Sequence, residues 1–154
     1  MRAPTLVVLG LVLGLAAAGP ALAQGCVSSP EANKQLLLDF YRLGLVELQP
    51  RTAFESFVSP EFVEHKPDVP GGTREATIAF LEGLIAEVPE PRWEILRSVA
   101  DDDLVFIHAR FSPAPGVGHY ALADLFRVEN CRIVEHWDVV APPVTDGVNP
   151  NPRF

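Results

Sequence analysis

One change of rhythm constrains the fold more than anything else in this sequence. Up to Pro91 the apolar residues recur with helical spacing. After Pro91 they alternate, in four runs of β-forming residues joined by turns or a short loop. Helices first and consecutive strands afterwards define an α+β fold in which the strands pair as an antiparallel sheet.

The helical part has clear punctuation. Ser29 can cap a helix that opens with Pro30 and Glu31. Its apolar residues run from Leu36 to Leu48, and Gln49-Pro50 ends it. A short second helix is predicted from Thr52 to Val58, stopped by Ser59-Pro60. Glu61 to Pro67 reads as irregular or 3₁₀, and Asp68 to Gly72 as a loop. Thr73 caps a third helix that runs through Val88. The predicted strands are Trp93–Val99, Leu104–Phe111, His119–Val128 and Arg132–Val140. Glu129-Asn130-Cys131 forms the last tight turn.

The N-terminus reads differently. Met1-Arg2 precedes an apolar run from Leu6 to Ala18, and Ala21-Leu22-Ala23 has the small-x-small form of a cleavage site. That is the pattern of a secretory signal peptide over residues 1–23, too short and wrongly flanked for a transmembrane helix. The alternatives are an uncleaved anchor or, more weakly, a lipid-modified Cys26. The sequence therefore divides into the signal segment, a domain over residues 24–141 and a proline-rich tail over 142–154, expected to be extended and mobile. Cleavage after Ala23 leaves 131 residues. A domain of that length buries roughly two-thirds of its unfolded surface. The implied address is periplasmic or extracellular.

A net charge of −8 and only two lysines, Lys34 and Lys66, leave no basic stripe for phosphates. Nucleic-acid binding is excluded on that ground, and so is attraction to anionic membranes. In an oxidising compartment Cys26 and Cys131 read as a disulfide, with two free thiols as the alternative. The bridge would close a loop of about a hundred residues, worth ~4 kcal/mol on the chain-entropy model.

The last two predicted strands hold the residues with chemical potential. Side chains on a strand alternate between faces. Val134, His136 and Asp138 share one face, opposite Glu135, Trp137 and Val139. Leu122, Asp124 and Phe126 share a face of the preceding strand. Pairing across the short turn can bring Asp124, His136 and Asp138 together on the side that the helices cover. Carboxylates there would be desolvated, which raises their pKa and suits them to acid–base work. The structural alternatives are ion pairs from Asp124 to Arg127, Arg110 or Arg132, a hydrogen-bonded core His136, and Asp138 bound to a backbone N–H. His65 lies at a pocket mouth or on the surface. His108 goes with Phe106 and Arg110, on a face that alternation leaves open. His119 is expected to be exposed. No phosphate loop, nucleophile elbow or zinc-type spacing is present.

The run from Asp124 to Val139, which includes Cys131, Glu135-His136-Trp137 and Asp138, resembles the C-terminal signature of SnoaL-like proteins. These belong to the nuclear transport factor 2-like superfamily. Phe62 to Pro67, the Gly71-Gly72 loop and Asp103-Leu104-Val105 resemble further elements of that family, so the likeness spans about Pro30 to Val140. It implies a cone-shaped, strongly curved antiparallel sheet wrapped around the N-terminal helices, with a deep pocket between. In the family's polyketide cyclases an aspartate on the last strand is the general acid/base of an intramolecular aldol closure. That position matches Asp138. Asp124 matches an assisting polar residue of the preceding strand, whereas Leu122 is apolar where those cyclases have another. Cys131 replaces the usual glycine, which fits a disulfide.

Two functions follow as expectations. In the first, Asp138 abstracts a proton α to a carbonyl, with Asp124 or His136 tuning it and no cofactor or metal. The reaction class is aldol-type cyclisation, isomerisation or a related lyase step. His65, His108, Phe126 and Leu122 are the expected substrate contacts. In the second, the same pocket belongs to a non-catalytic binder of a small apolar ligand. The expected partner is an apolar or carbonyl-containing small molecule, and a homodimer is compatible with the resemblance.

Overall fold

The structure, a computed structural model, describes residues 26–151, 153 and 154. The expected signal segment, residues 1–23, lies outside them. Ser29 opens α1 (Pro30–Tyr41) by accepting the Ala32 N–H, and Glu31 sits at the positive end of the helix dipole. The expected continuous helix to Leu48 instead widens into a π-helical turn at Arg42–Val46. Gly44 in that turn lies against α2 (Pro50–Phe57). A Cβ there would stand 3.0 Å from that of Ala53, so only glycine keeps this approach free of crowding. Thr73 caps α3 (Arg74–Glu87) through the Ala76 N–H.

Five strands are present among the described residues, one more than the alternation predicts. They are β1 (Val58–Glu64), β2 (Arg92–Asp101), β3 (Leu104–Ser112), β4 (Tyr120–Glu129) and β5 (Arg132–Ala141). Their order in the sheet is β1-β5-β4-β3-β2. Three antiparallel pairings join β2 to β5 in sequence order, as expected. The correction is β1, where an irregular segment was expected from Glu61. It pairs parallel with β5, Glu64 opposite His136, with a shift in register between Val58 and Val63. Pro60 lies in that shifted stretch. A proline cannot donate to a ladder, so it is tolerated on an edge strand or at a bulge and not in a central strand.

The helices cover one face of this open, curved sheet. Leu37, Phe40, Tyr41, Phe54 and Ile78 pack against Val105, Ile107, Phe126, Val128 and Ile133. Phe40 meets Phe54 and Phe126 edge-on at 5.2 and 6.0 Å. Alternation assigns the inner residues of β4 correctly. On β5 a bulge intervenes: Arg127 faces Glu135 while Val128 faces Ile133. Val134 is the extra residue, and the fully buried Ile133 takes the inner place that strict alternation gives to Val134. His136 and Asp138 stay on the inner face.

Asn130 and Cys131 form the two-residue turn between β4 and β5, with φ of 49° and 54°. Two left-handed residues match the twist of a tight hairpin, a geometry that glycine usually supplies. Cys131 accepts it while bonded to Cys26, the two Cα atoms 6.0 Å apart. The expected disulfide is present, and it ties the start of the described chain to the far end of the sheet. Residues 142–151, 153 and 154 form no helix or strand.

Candidate functional site

Between the helices and the inner face of the sheet lies a cavity of about 390 Å³. Most of its wall is apolar. Phe40, Leu45 and Phe54 contribute from the N-terminal helical segments, Phe80, Leu81 and Leu84 from α3, and Trp93, Phe111, Leu122, Phe126 and Val140 from the sheet. Glu64, Lys66, Asp124, His136 and Asp138 stand together in it, with Tyr41 beside them and the exposed Asp68 at the edge.

Register explains the cluster. Asp124 on β4 is the cross-strand partner of Asp138 on β5, and Phe126 is the partner of His136. Like charges directly opposite repel, so each carboxylate needs its own compensation. Asp138, whose side chain is only 8% exposed, binds the Lys66 ammonium at 2.8 Å. Asp124 accepts the Tyr41 hydroxyl at 3.0 Å and faces His136 Nε2 at 3.6 Å. His136 Nδ1 lies 2.9 Å from both oxygens of Glu64. The imidazole also stacks on Phe126, the ring centres 4.4 Å apart.

These contacts set protonation states. Burial works against a charged His136, but the Asp124 carboxylate at 3.6 Å and the bond to Glu64 outweigh burial and raise its pKa to about 9. At neutral pH this ring is an imidazolium held between two carboxylates. Burial, together with the charge of Asp124 and the bond to it, pushes the Tyr41 phenol well above its ordinary range. Burial also opposes the Lys66 charge, yet the bond to Asp138 wins and its pKa is raised. Every charge in the cluster thus has a counter-charge or donor against it.

The expected residues divide cleanly. Asp138, Asp124, His136, Phe126 and Leu122 line the cavity. None of Arg110, Arg127 and Arg132 pairs with Asp124: Arg110 binds Glu94, Arg127 binds Glu135 and Glu129, and Arg132 reaches the Ser56 carbonyl. His65 and His108 are not among the lining residues. His65 lies beyond β1 on the outer side, stacked on Trp137 at 4.9 Å and bonded to Glu135 at 2.8 Å. His108 lies between the inward Ile107 and Ala109 on β3, so its ring points outward, where Phe154 stands 6.2 Å away. His119 is exposed, as expected.

Tyr41, Glu64 and Lys66 are the site residues that the sequence reading did not single out. Once 58–64 is a strand, alternation turns Phe62 and Glu64 inward and Val63 outward, and the line continues through Lys66. Glu64 is held twice more. Its carboxylate accepts the Lys66 backbone N–H at 2.9 Å, and its carbonyl presses on Gly72, where a Cβ would come within 2.6 Å. Gly72 has φ of 58°, so glycine is required there on both counts. Among the described residues no group of three or more His, Cys, Asp and Glu side chains is arranged to hold a metal ion.

An open curved sheet closed by helices, with an ionisable cluster in an otherwise apolar cavity, is the architecture of the nuclear transport factor 2-like superfamily. Residues 39–136 match the family described as SnoaL-like domain, and the chain belongs to it. Solved structures agree on the fold. TsrD from Streptomyces laurentii superposes with a TM-score of 0.61 at 20% identity, over 74% of this chain and 91% of that one. A protein of Acidithiobacillus ferrooxidans, provisionally named a polyketide cyclase, gives 0.60 at 19% identity over 74% and 91%. AclR from Streptomyces galilaeus, provisionally named a hydroxylase, gives 0.60 at 21% over 73% and 91%. No functionally curated protein matches the chain in sequence.

Proposed function

We propose that this chain is an exported enzyme that uses Asp138 as a general base on a small carbonyl compound held in the cavity. The observation that carries the reading is the setting of Asp138. It is a nearly buried carboxylate, 2.8 Å from a lysine, directly opposite a second carboxylate and beside an apolar cavity of about 390 Å³. A base needs that combination: water excluded, a polar partner in reach and room for the substrate.

His136 carries its proton at neutral pH, so it does not compete with Asp138 as a base. Its charge keeps Asp124 compensated, and Tyr41 fixes the Asp124 carboxylate. The reaction class is enolisation followed by aldol-type closure or isomerisation. Leu122 leaves β4 with one polar group fewer toward the substrate, which favours the simpler, proton-shifting end of that class. Export fits the disulfide and the apolar N-terminal sequence.

The test is exchange of α-protons for deuterium in a panel of neutral aromatic and aliphatic ketones, followed by NMR. Wild type should catalyse exchange in at least one ketone, and Asp138→Asn should lose at least a hundredfold with its fold intact. Binding without exchange in the wild type would leave the alternative, a non-catalytic binding protein.

A further inference from the structure

Lys66 is the only lysine among the cavity's lining residues, and the sequence signature of the last strands says nothing about it. Its side chain is 17% exposed. One N–H bonds Asp138 at 2.8 Å, Asp68 lies at 3.4 Å, and the ammonium stands 5.8 Å from the centre of the Phe80 ring. The ammonium has three N–H donors, and Asp138 takes one of them. An incoming carbonyl oxygen can accept an ammonium N–H, and it lies two bonds from the carbon that bears the acidic proton.

We infer that Lys66 is a second catalytic residue, the electrophile that receives the substrate's carbonyl oxygen, and that the substrate is a neutral enolisable ketone or aldehyde, not a carboxylate. The inference rests on the reading of Asp138 as the base. In the step, the α C–H bond breaks and its proton goes to an Asp138 carboxylate oxygen. The C–H electron pair becomes the C=C bond of an enolate, and the carbonyl π pair moves onto the oxygen, where the Lys66 ammonium stabilises it. The enolate carbon then either takes a proton back or attacks a second carbonyl, whose alkoxide takes the proton from Asp138. No oxidant or further reactant is needed.

Charge decides the substrate class. Glu64, Asp68, Asp124 and Asp138 already outnumber Lys66 and His136 here. A ligand carboxylate would add a further negative charge beside partly buried carboxylates, where like charges repel more strongly than in bulk water. A neutral carbonyl adds none, and on enolisation it gains its charge only as Asp138 loses one.

Two probes with the same ring system test this: 2-acetylnaphthalene, a neutral methyl ketone, and 2-naphthoate, its carboxylate counterpart. Affinity is measured by calorimetry at pH 7.5 and methyl exchange by NMR in D₂O. Wild type should bind the ketone at least tenfold more tightly than the carboxylate. Lys66→Gln should weaken ketone binding about tenfold and slow exchange at saturating ketone at least a hundredfold, while Lys66→Arg should keep ketone affinity within about threefold. Equal ketone affinity and exchange in wild type and Lys66→Gln would overturn the role of Lys66 and leave Asp138 untouched. Naphthoate binding as tightly as the ketone would overturn the neutral class, and that comparison needs no variant to fold. Ketone binding that depends on Lys66, without exchange in the wild type, would retain the anchor but remove the base. If neither probe binds, the Lys66 reading falls, while the reading of Asp138 stands or falls on the ketone panel.

Discussion

Raising the pH from 6 to 9.5 should destabilise this protein, and His136 supplies the reason. In the unfolded chain its pKa is about 6.5; in the fold it is about 9. Between those values the native state holds a proton that the unfolded state has lost, so stability must fall as pH rises. The contribution is fully present below pH 6.5 and is gone above 9. A shift of that size corresponds to about 3 kcal/mol. The groups facing the ring are Glu64 from β1, Asp124 from β4, and Phe126, with Tyr41 of α1 acting through Asp124. Other resolved shifts leave the window clear. The pKa of His108 is lowered, by burial and then by Arg97 and Arg153, so its effect falls below pH 6.5. Lys66 and Tyr41 are raised and lose their contributions above pH 10. Urea denaturation at half-unit intervals, with the histidine ring nitrogens followed by NMR, measures both sides of the linkage. Glu64→Gln removes one of the two anions and should flatten the slope. A flat or rising profile, or an imidazole that is neutral at pH 7.5 in the folded protein, would refute the charged cluster.

Further outcomes follow from single contacts. Tyr41→Phe removes the hydroxyl that Asp124 accepts and should cost about 2 kcal/mol in chemical denaturation, the range for a hydrogen bond to a charged group. Cys131→Ser opens the Cys26–Cys131 link across 105 residues of sequence and should cost 4–5 kcal/mol on the chain-entropy model, with a drop in melting temperature to match. Cys131→Gly loses the same link but relieves a left-handed residue, so it should be about 1 kcal/mol more stable than Cys131→Ser.

The α+β class, three helices, four of the five strands, the disulfide and the inward placement of Asp124, His136 and Asp138 were legible in the sequence. The elements and their faces depend on local signals: caps, periodicity, turn residues, strand alternation. The disulfide depends on the cysteine count and the export pattern. Glu64 and Lys66 were not legible, because β1 exists through a parallel pairing with β5, some seventy residues away, and Ser59-Pro60 reads locally as a stop. The same omission misplaced His65. Its neighbours Glu64 and Lys66 point in, so His65 points out. His108 was undecidable from alternation alone, which gives two faces but not which of them the helices cover. Tyr41 looked like one more apolar position of α1. Its partner Asp124 is 83 residues distant, and no local pattern reports that bond.

The central claim is that Asp138 changes the molecule that the cavity holds. Wild type and Asp138→Asn, each produced in the native host and purified natively, can be compared by mass spectrometry of their bound small molecules. The account predicts that the variant retains a neutral carbonyl compound, which the wild type, added afterwards, converts to an isomer or cyclised product. The same unaltered compound on both proteins, stable when incubated with the wild type, would contradict it and make this chain a carrier.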